Sequence, residues 1–86
     1  MDLNLKGKNA LITGGSKGIG KAIAKLLTEE GCNVVICARN KEQLERTAKE
    51  IGCNWIQADC TIDSDIEKVI SQLKELHILV NNVGVA

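Results

Sequence analysis

The sequence predicts an α/β fold: a doubly wound, Rossmann-like three-layer sandwich on a parallel sheet of four strands. Three observations carry that expectation. Strand-like and helix-like patterns alternate from one end of the chain to the other, in the order βαβαβαβ. The strand-like runs are apolar almost without interruption, as parallel strands covered on both faces require. A glycine-rich turn joins the first strand to the first helix. Short links between such elements make right-handed crossovers nearly obligatory.

Each element has its own signal. After Lys6-Gly7-Lys8, Asn9-Ala10-Leu11-Ile12-Thr13 reads as the first strand, and the glycine turn follows it. A helix from about Gly18 to Glu30 repeats apolar residues at Ile19, Ala22, Ile23, Leu26 and Leu27, and Gly31 is its stop. Asn33 to Ala38 is β-branched and continuous, the second strand. Asn40 and Gln43 form a capping-box pattern for a helix to about Ile51, with Leu44, Ala48 and Ile51 inward and Gly52 as its stop. Cys53 to Ala58 is a weaker third strand. From Asp63 or Ser64 a third helix places Ile66, Val69, Ile70, Leu73 and Leu76 at helical spacing, and His77 to Asn81 is the fourth strand.

Composition narrows the function. The chain has 86 residues, 11 basic and 11 acidic, and 44% hydrophobic residues, which fits a single small domain over residues 1–86. Balanced charge removes the basic footprint of a nucleic-acid binder, and no apolar run is long enough to span a bilayer. Met1-Asp2-Leu3-Asn4-Leu5-Lys6 has an acidic residue and no apolar h-region, so the expected location is cytoplasmic. Cys32, Cys37, Cys53 and Cys60 are irregularly spaced and His77 lacks ligand-like neighbours, so no metal site is expected and the cysteines are read as free thiols.

The turn Thr13-Gly14-Gly15-Ser16-Lys17-Gly18-Ile19-Gly20 carries the chemistry. Its glycines let backbone approach a ligand closely, and the helix start behind them offers unpaired N–H groups and partial positive charge. A phosphate or pyrophosphate belongs there. Gly15 to Ala22 also reads as G-x-x-x-x-G-K-A, one residue short of a P-loop, but Ala22 has no hydroxyl for magnesium.

The spacing Thr13-Gly14-x-x-x-Gly18-x-Gly20 is wider than G-x-G-x-x-G. It resembles the T-G-x-x-x-G-x-G signature of the short-chain dehydrogenase/reductase family. The resemblance extends over residues 6–86 through Ala58-Asp59-Cys60-Thr61, similar to the family's D-x-T segment, and Asn81-Asn82-Val83-Gly84, similar to its N-N-A-G segment with valine for alanine. It implies a cofactor site made of Gly14, Ser16, Lys17, Gly18, Ile19, Gly20, Arg39, Asp59, Cys60, Asn82, Val83 and Gly84; by analogy with doubly wound folds the sheet order is expected to be 3-2-1-4, with the cofactor crevice where strands 1 and 4 diverge. The implied roles are adenine contacts for the Asp59 side chain and the Cys60 N–H, and lining of the cleft by Asn82, Val83 and Gly84.

Sites for NAD place an Asp or Glu at the end of the second strand to hold the ribose hydroxyls. Here Ala38 and Arg39 occupy that place, and Arg39 with Lys17 suits a 2′-phosphate, so NADP is expected over NAD. The family's catalytic tyrosine, lysine and serine belong to elements after the fourth strand, and the chain has no tyrosine. The expectation is therefore the amino-terminal NADP(H)-binding part of such an enzyme, not itself catalytic. A stand-alone dinucleotide-binding or interaction module is the alternative, and a methyltransferase-like nucleoside site lacks its acidic residue at Ala38. The fourth strand would be a bare sheet edge, from which self-association or a chain supplying the missing half is expected.

Overall fold

A computed structural model describes residues 5–14, 18–73 and 75–82. The elements are β1 (Asn9–Thr13), α1 (Gly18–Glu29), β2 (Asn33–Ala38), α2 (Lys41–Ile51), β3 (Asn54–Gln57), α3 (Asp63–Gln72) and β4 (Ile78–Asn81). The sheet order is β3-β2-β1-β4, and all three pairings are parallel. Ala10 stands opposite Val34 on one side and Ile78 on the other, and Ile12 opposite Ile36 and Val80.

Strand alternation divides the apolar residues between two faces. Ala10, Ile12, Val34 and Ile36 meet Ala24 of α1 and Leu44 and Ala48 of α2 in one buried cluster. Leu11 and Cys37 meet Val69 of α3 in a second, smaller one. The result is three layers, two helices on one face and one on the other. No helix among the described residues is long and apolar enough to cross a membrane.

Local chemistry fixes the helix ends. The Asn40 side chain accepts a hydrogen bond from the Gln43 N–H at 3.1 Å, one limb of the expected capping box. At the other end of α2 the Gly52 N–H reaches the Ala48 carbonyl at 2.7 Å. Lys21 of α1 pairs with Glu50 of α2 at 2.6 Å and holds that carboxyl below its usual range. Both side chains are well exposed, so the pair adds little stability.

Two expectations are corrected here. The inward face of α1 centres on Gly20 and Ala24, whereas Ile19 is 71% and Leu26 57% exposed. The apolar stripe in the sequence is wider than the strip that touches the sheet, and Ala22 is exposed as well. In the third helix, Leu73 and Leu76 are not helical: α3 stops at Gln72, and Leu73 adopts an extended conformation. Both leucines still pack on the second cluster. The chain leaves the helix early to enter the sheet beside β1, and Asn9 fastens this link. Its side chain donates to the Glu75 carbonyl at 2.7 Å, and its backbone N–H donates to His77 Nδ1 at 3.0 Å. That bond requires the His77 proton to sit on Nε2, which lies 3.0 Å from Glu75 Oε1. β3 and β4 are each shorter than their apolar runs, with Cys53, Ala58 and His77 just outside them.

Leu11 and Leu79 stand opposite one another on the same face, yet interior and edge strands differ in what a truncation removes. Leu11 is fully buried and Leu79 on β4 is 49% exposed. Leu11→Ala is expected to lower unfolding free energy by about 2–5 kcal/mol, and Leu79→Ala by less than about 1 kcal/mol. Denaturant titration of the two variants checks the contrast, and equal losses would contradict the packing described.

Candidate functional site

The carboxyl ends of β1 and β4 meet the start of α1, and backbone proximity is the defining property of the place. Gly14 has φ 68° and donates its N–H to the Cys37 carbonyl at 2.8 Å, which ties the end of β1 to β2. A β-carbon on Gly14 would meet the Asn82 carbonyl. One on Gly20 would run into the Gly14 carbonyl and stand 2.8 Å from Asn82 Nδ2. Helix, first strand and the end of the fourth strand therefore meet with no room for a side chain.

Gly18 is different. Its φ of 62° favours glycine, yet a β-carbon there would meet no atom of the described residues within 4 Å. Helix–strand packing thus constrains Gly14 and Gly20, while Gly18 opens onto free space at the first residue of α1. The first turn of α1 contains no acidic residue, so no carboxylate offsets the partial positive charge of the helix end.

Thr13 holds the β4 end in place, a role that sequence reasoning did not assign to it. Its buried hydroxyl accepts from the Asn82 N–H at 3.0 Å and donates to Asn81 Oδ1 at 3.0 Å. A polar residue closing an otherwise apolar strand was the available signal, and only the tertiary pairing reveals its partners.

The ends of β2 and β3 form the other side. The Ala58 N–H continues the ladder to the Ala38 carbonyl at 3.0 Å, and Gln57 Nε2 donates to the Arg39 carbonyl at 2.9 Å. Arg39 is exposed and forms no ion pair among the described residues. The Asp59 carboxylate accepts from the Thr61 hydroxyl at 2.6 Å and from the Thr61 N–H at 3.0 Å, both through Oδ1. These two bonds, the hydroxyl's first, hold the Asp59 carboxyl below the usual aspartate range, with help from the charge of Arg39. The Asp59 N–H in turn reaches Asp65 Oδ2 at 3.0 Å. Cys60, in the same turn, brings its sulfur to 3.1 Å from that of Cys37.

Of the expected site residues, Gly14, Gly18, Ile19, Gly20, Arg39, Asp59, Cys60 and Asn82 all lie at this end of the sheet or at the start of α1. Ser16, Lys17, Val83 and Gly84 lie outside the described residues.

The family model for short chain dehydrogenase matches residues 8–86. The chain belongs to the short-chain dehydrogenase family. It is 39% identical to the uncharacterized oxidoreductase YvaG of Bacillus subtilis, the match covering 99% of this chain and 35% of that protein. It is 45% identical to 17-beta-hydroxysteroid dehydrogenase type 3 of Danio rerio, over 92% of this chain and 28% of that one. The solved RhlG/NADP active-site complex of Pseudomonas aeruginosa superposes with a TM-score of 0.85 at 39% identity, covering 95% of this chain and 36% of that one. The chain spans about a third of the length of these relatives.

Two expected outcomes follow from the geometry. Gly20→Ala costs about 3 kcal/mol, the upper end for an overpacked site, because the clashing partner is backbone; Gly18→Ala costs about 1–2 kcal/mol, the strain of left-handed backbone alone. Thermal and denaturant unfolding measure both, and an equal or inverted ranking would contradict the close approach. For Asp59, a folded carboxyl held below its unfolded value contributes stability above the unfolded range that is lost as pH falls through the folded value. Thr61→Val removes the hydroxyl and is expected to move Asp59 titration upward, as read by NMR of the carboxyl carbon; an unmoved titration would assign the depression elsewhere.

Proposed function

We propose that the chain is the NADP(H)-holding part of a short-chain dehydrogenase/reductase whose whole form transfers a hydride between nicotinamide and a carbonyl or alcohol. The convergence of Gly14, Gly20 and Asn82 carries this reading, because backbone packed that tightly sets the N–H groups at the start of α1 at the carboxyl edge of the sheet, where a diphosphate could reach them. The residues fit the cofactor. Open space at Gly18 and a helix start without acidic residues suit a pyrophosphate. In this reading Gly14, Ser16, Gly18, Ile19 and Gly20 hold the diphosphate, Asp59 and the Cys60 N–H hold the adenine, and Asn82, Val83 and Gly84 line the nicotinamide side. Asp59 keeps Oδ2 without a partner among the described residues, as an adenine amino group requires.

Arg39 is the basis for NADP over NAD. A guanidinium that is exposed and has no ion pair among the described residues stands where NAD sites carry a carboxylate, and Lys17 adds a second charge for the 2′-phosphate. The RhlG structure, described with NADP, favours the same choice. When bound, the cofactor supplies the hydride. The 86 residues bind and orient it, and with no tyrosine among them they hold no residue for the family's acid/base step. The free edge of β4 is where a further strand, or a partner chain supplying the rest, would pair.

The test is a pair of titrations. Arg39→Asp combined with Lys17→Ala is expected to weaken NADP by about tenfold or more, the loss of one or two charge-assisted contacts, while NAD changes little. Equal losses for both cofactors would overturn the 2′-phosphate assignment, and no binding of either by the unaltered protein would overturn the function.

A further inference from the structure

We propose that Cys37 and Cys60 are a modification site, a thiol pair that peroxide converts reversibly into a disulfide beneath the Asp59–Thr61 turn. The two residues are 23 positions apart in sequence, and their sulfurs are 3.1 Å apart. A disulfide needs about 2.05 Å, so closure takes an approach of about 1 Å. Cys37 is fully buried at the end of β2. Cys60 is partly exposed, in the turn that follows β3. The other two cysteines belong to the opposite face of the sheet, Cys32 within the first cluster and Cys53 packed against it. Cys32 directs its thiol to the Leu5 carbonyl at 3.4 Å. The pair is thus set apart by topology from the remaining thiols.

The environments divide the labour. Burial, then the contact with Cys60 and the charge of Asp65, push the Cys37 thiol up to about 12, so it stays protonated. Cys60, open to solvent, meets the oxidant first. Its thiolate attacks one oxygen of hydrogen peroxide, the O–O bond breaks, and the departing hydroxide takes a proton to become water. Cys60 is then a sulfenic acid. The Cys37 sulfur displaces the sulfenic hydroxyl, which leaves as a second water carrying the Cys37 proton. Two thiols and one peroxide give one disulfide and two waters, and a dithiol reductant reverses the change.

The consequence for the cofactor rests on the function proposed above. There the Cys60 N–H faces the adenine, and the bridge draws that residue inward toward β2. The oxidised protein is therefore expected to bind NADP several-fold more weakly than the reduced one.

The experiment treats the folded protein with hydrogen peroxide, blocks remaining thiols with N-ethylmaleimide, and sequences the tryptic peptides by tandem mass spectrometry. A monomer with one bridge and two blocked thiols, in which Leu26–Arg39 is joined to Glu50–Lys68 through Cys37 and Cys60, is the expected result. Each peptide holds a second cysteine, so Cys32→Ser with Cys53→Ser should preserve the bridge, and Cys60→Ser should abolish it. Oxygen added to the thiols without a bridge, or a bridge through Cys32 or Cys53, would overturn the site. Equal NADP affinity of bridged and reduced protein would overturn the coupling. Failure of the reduced protein to bind NADP would instead overturn the function and leave a mapped bridge standing.

Discussion

The approach of α1 to the ends of β1 and β4 is the constraint on which the rest of the structure depends. At Gly20 a single β-carbon would collide with the Gly14 carbonyl and crowd the Asn82 amide. Two backbones and one side chain therefore share a space that only hydrogen can occupy. The start of α1 is thereby held over the carboxyl edge of the sheet, with its N–H groups beside Asn82, and Thr13 secures Asn82 from below through its N–H. The place of the helix start, with Gly18 as its first residue, follows from that one contact. The same approach explains why α1 turns a small-residue face, Gly20 and Ala24, to the sheet and leaves Ile19 and Leu26 outside.

The sheet is unequally supported. One face joins two helices in a buried cluster of eight residues, and the other has three under α3. β4 contacts one neighbour and exposes Leu79, whereas β1 and β2 are paired on both edges. Stability accordingly concentrates in β1, β2 and the two helices beside them, while hydrogen bonds with Asn9 hold the entry to β4 and those with Thr13 hold its end. A chain that spans about a third of its relatives' length places the residues proposed to face the cofactor on this unevenly supported sheet.

Much of this was legible in the sequence because the signals are local. Continuous apolar runs marked four strands, and the glycines after β1, together with Gly31 and Gly52, marked where helices begin or end. The order 3-2-1-4 came from analogy with doubly wound folds rather than from any residue pattern. What was not legible depends on tertiary placement. Hydrophobic spacing could not say that Ile19, Ala22 and Leu26 lie outside the contact strip, since an apolar stripe records what can be buried rather than what is. Leu73 and Leu76 kept helical spacing, yet the chain abandons the helix to bring β4 alongside β1. The division of labour among Gly14, Gly18 and Gly20, the partners of Thr13 and the meeting of Cys37 with Cys60 all arise between segments distant in sequence. The described residues hold eight of the twelve expected site positions in one place, while Ser16, Lys17, Val83 and Gly84 lie outside them.

The central claim is that the carboxyl edge of the sheet, organised by the Gly14–Gly20 approach, is a dinucleotide site. An NMR titration of the isotope-labelled protein with NADP tests it residue by residue. The account predicts saturable shifts of the Gly14, Gly18, Ile19, Gly20, Cys60 and Asn82 amides, with Asn33 and Asn54 at the opposite ends of β2 and β3 unmoved. Shifts centred on Asn33 and Asn54, or none at the glycines when NADP is saturating, would contradict it.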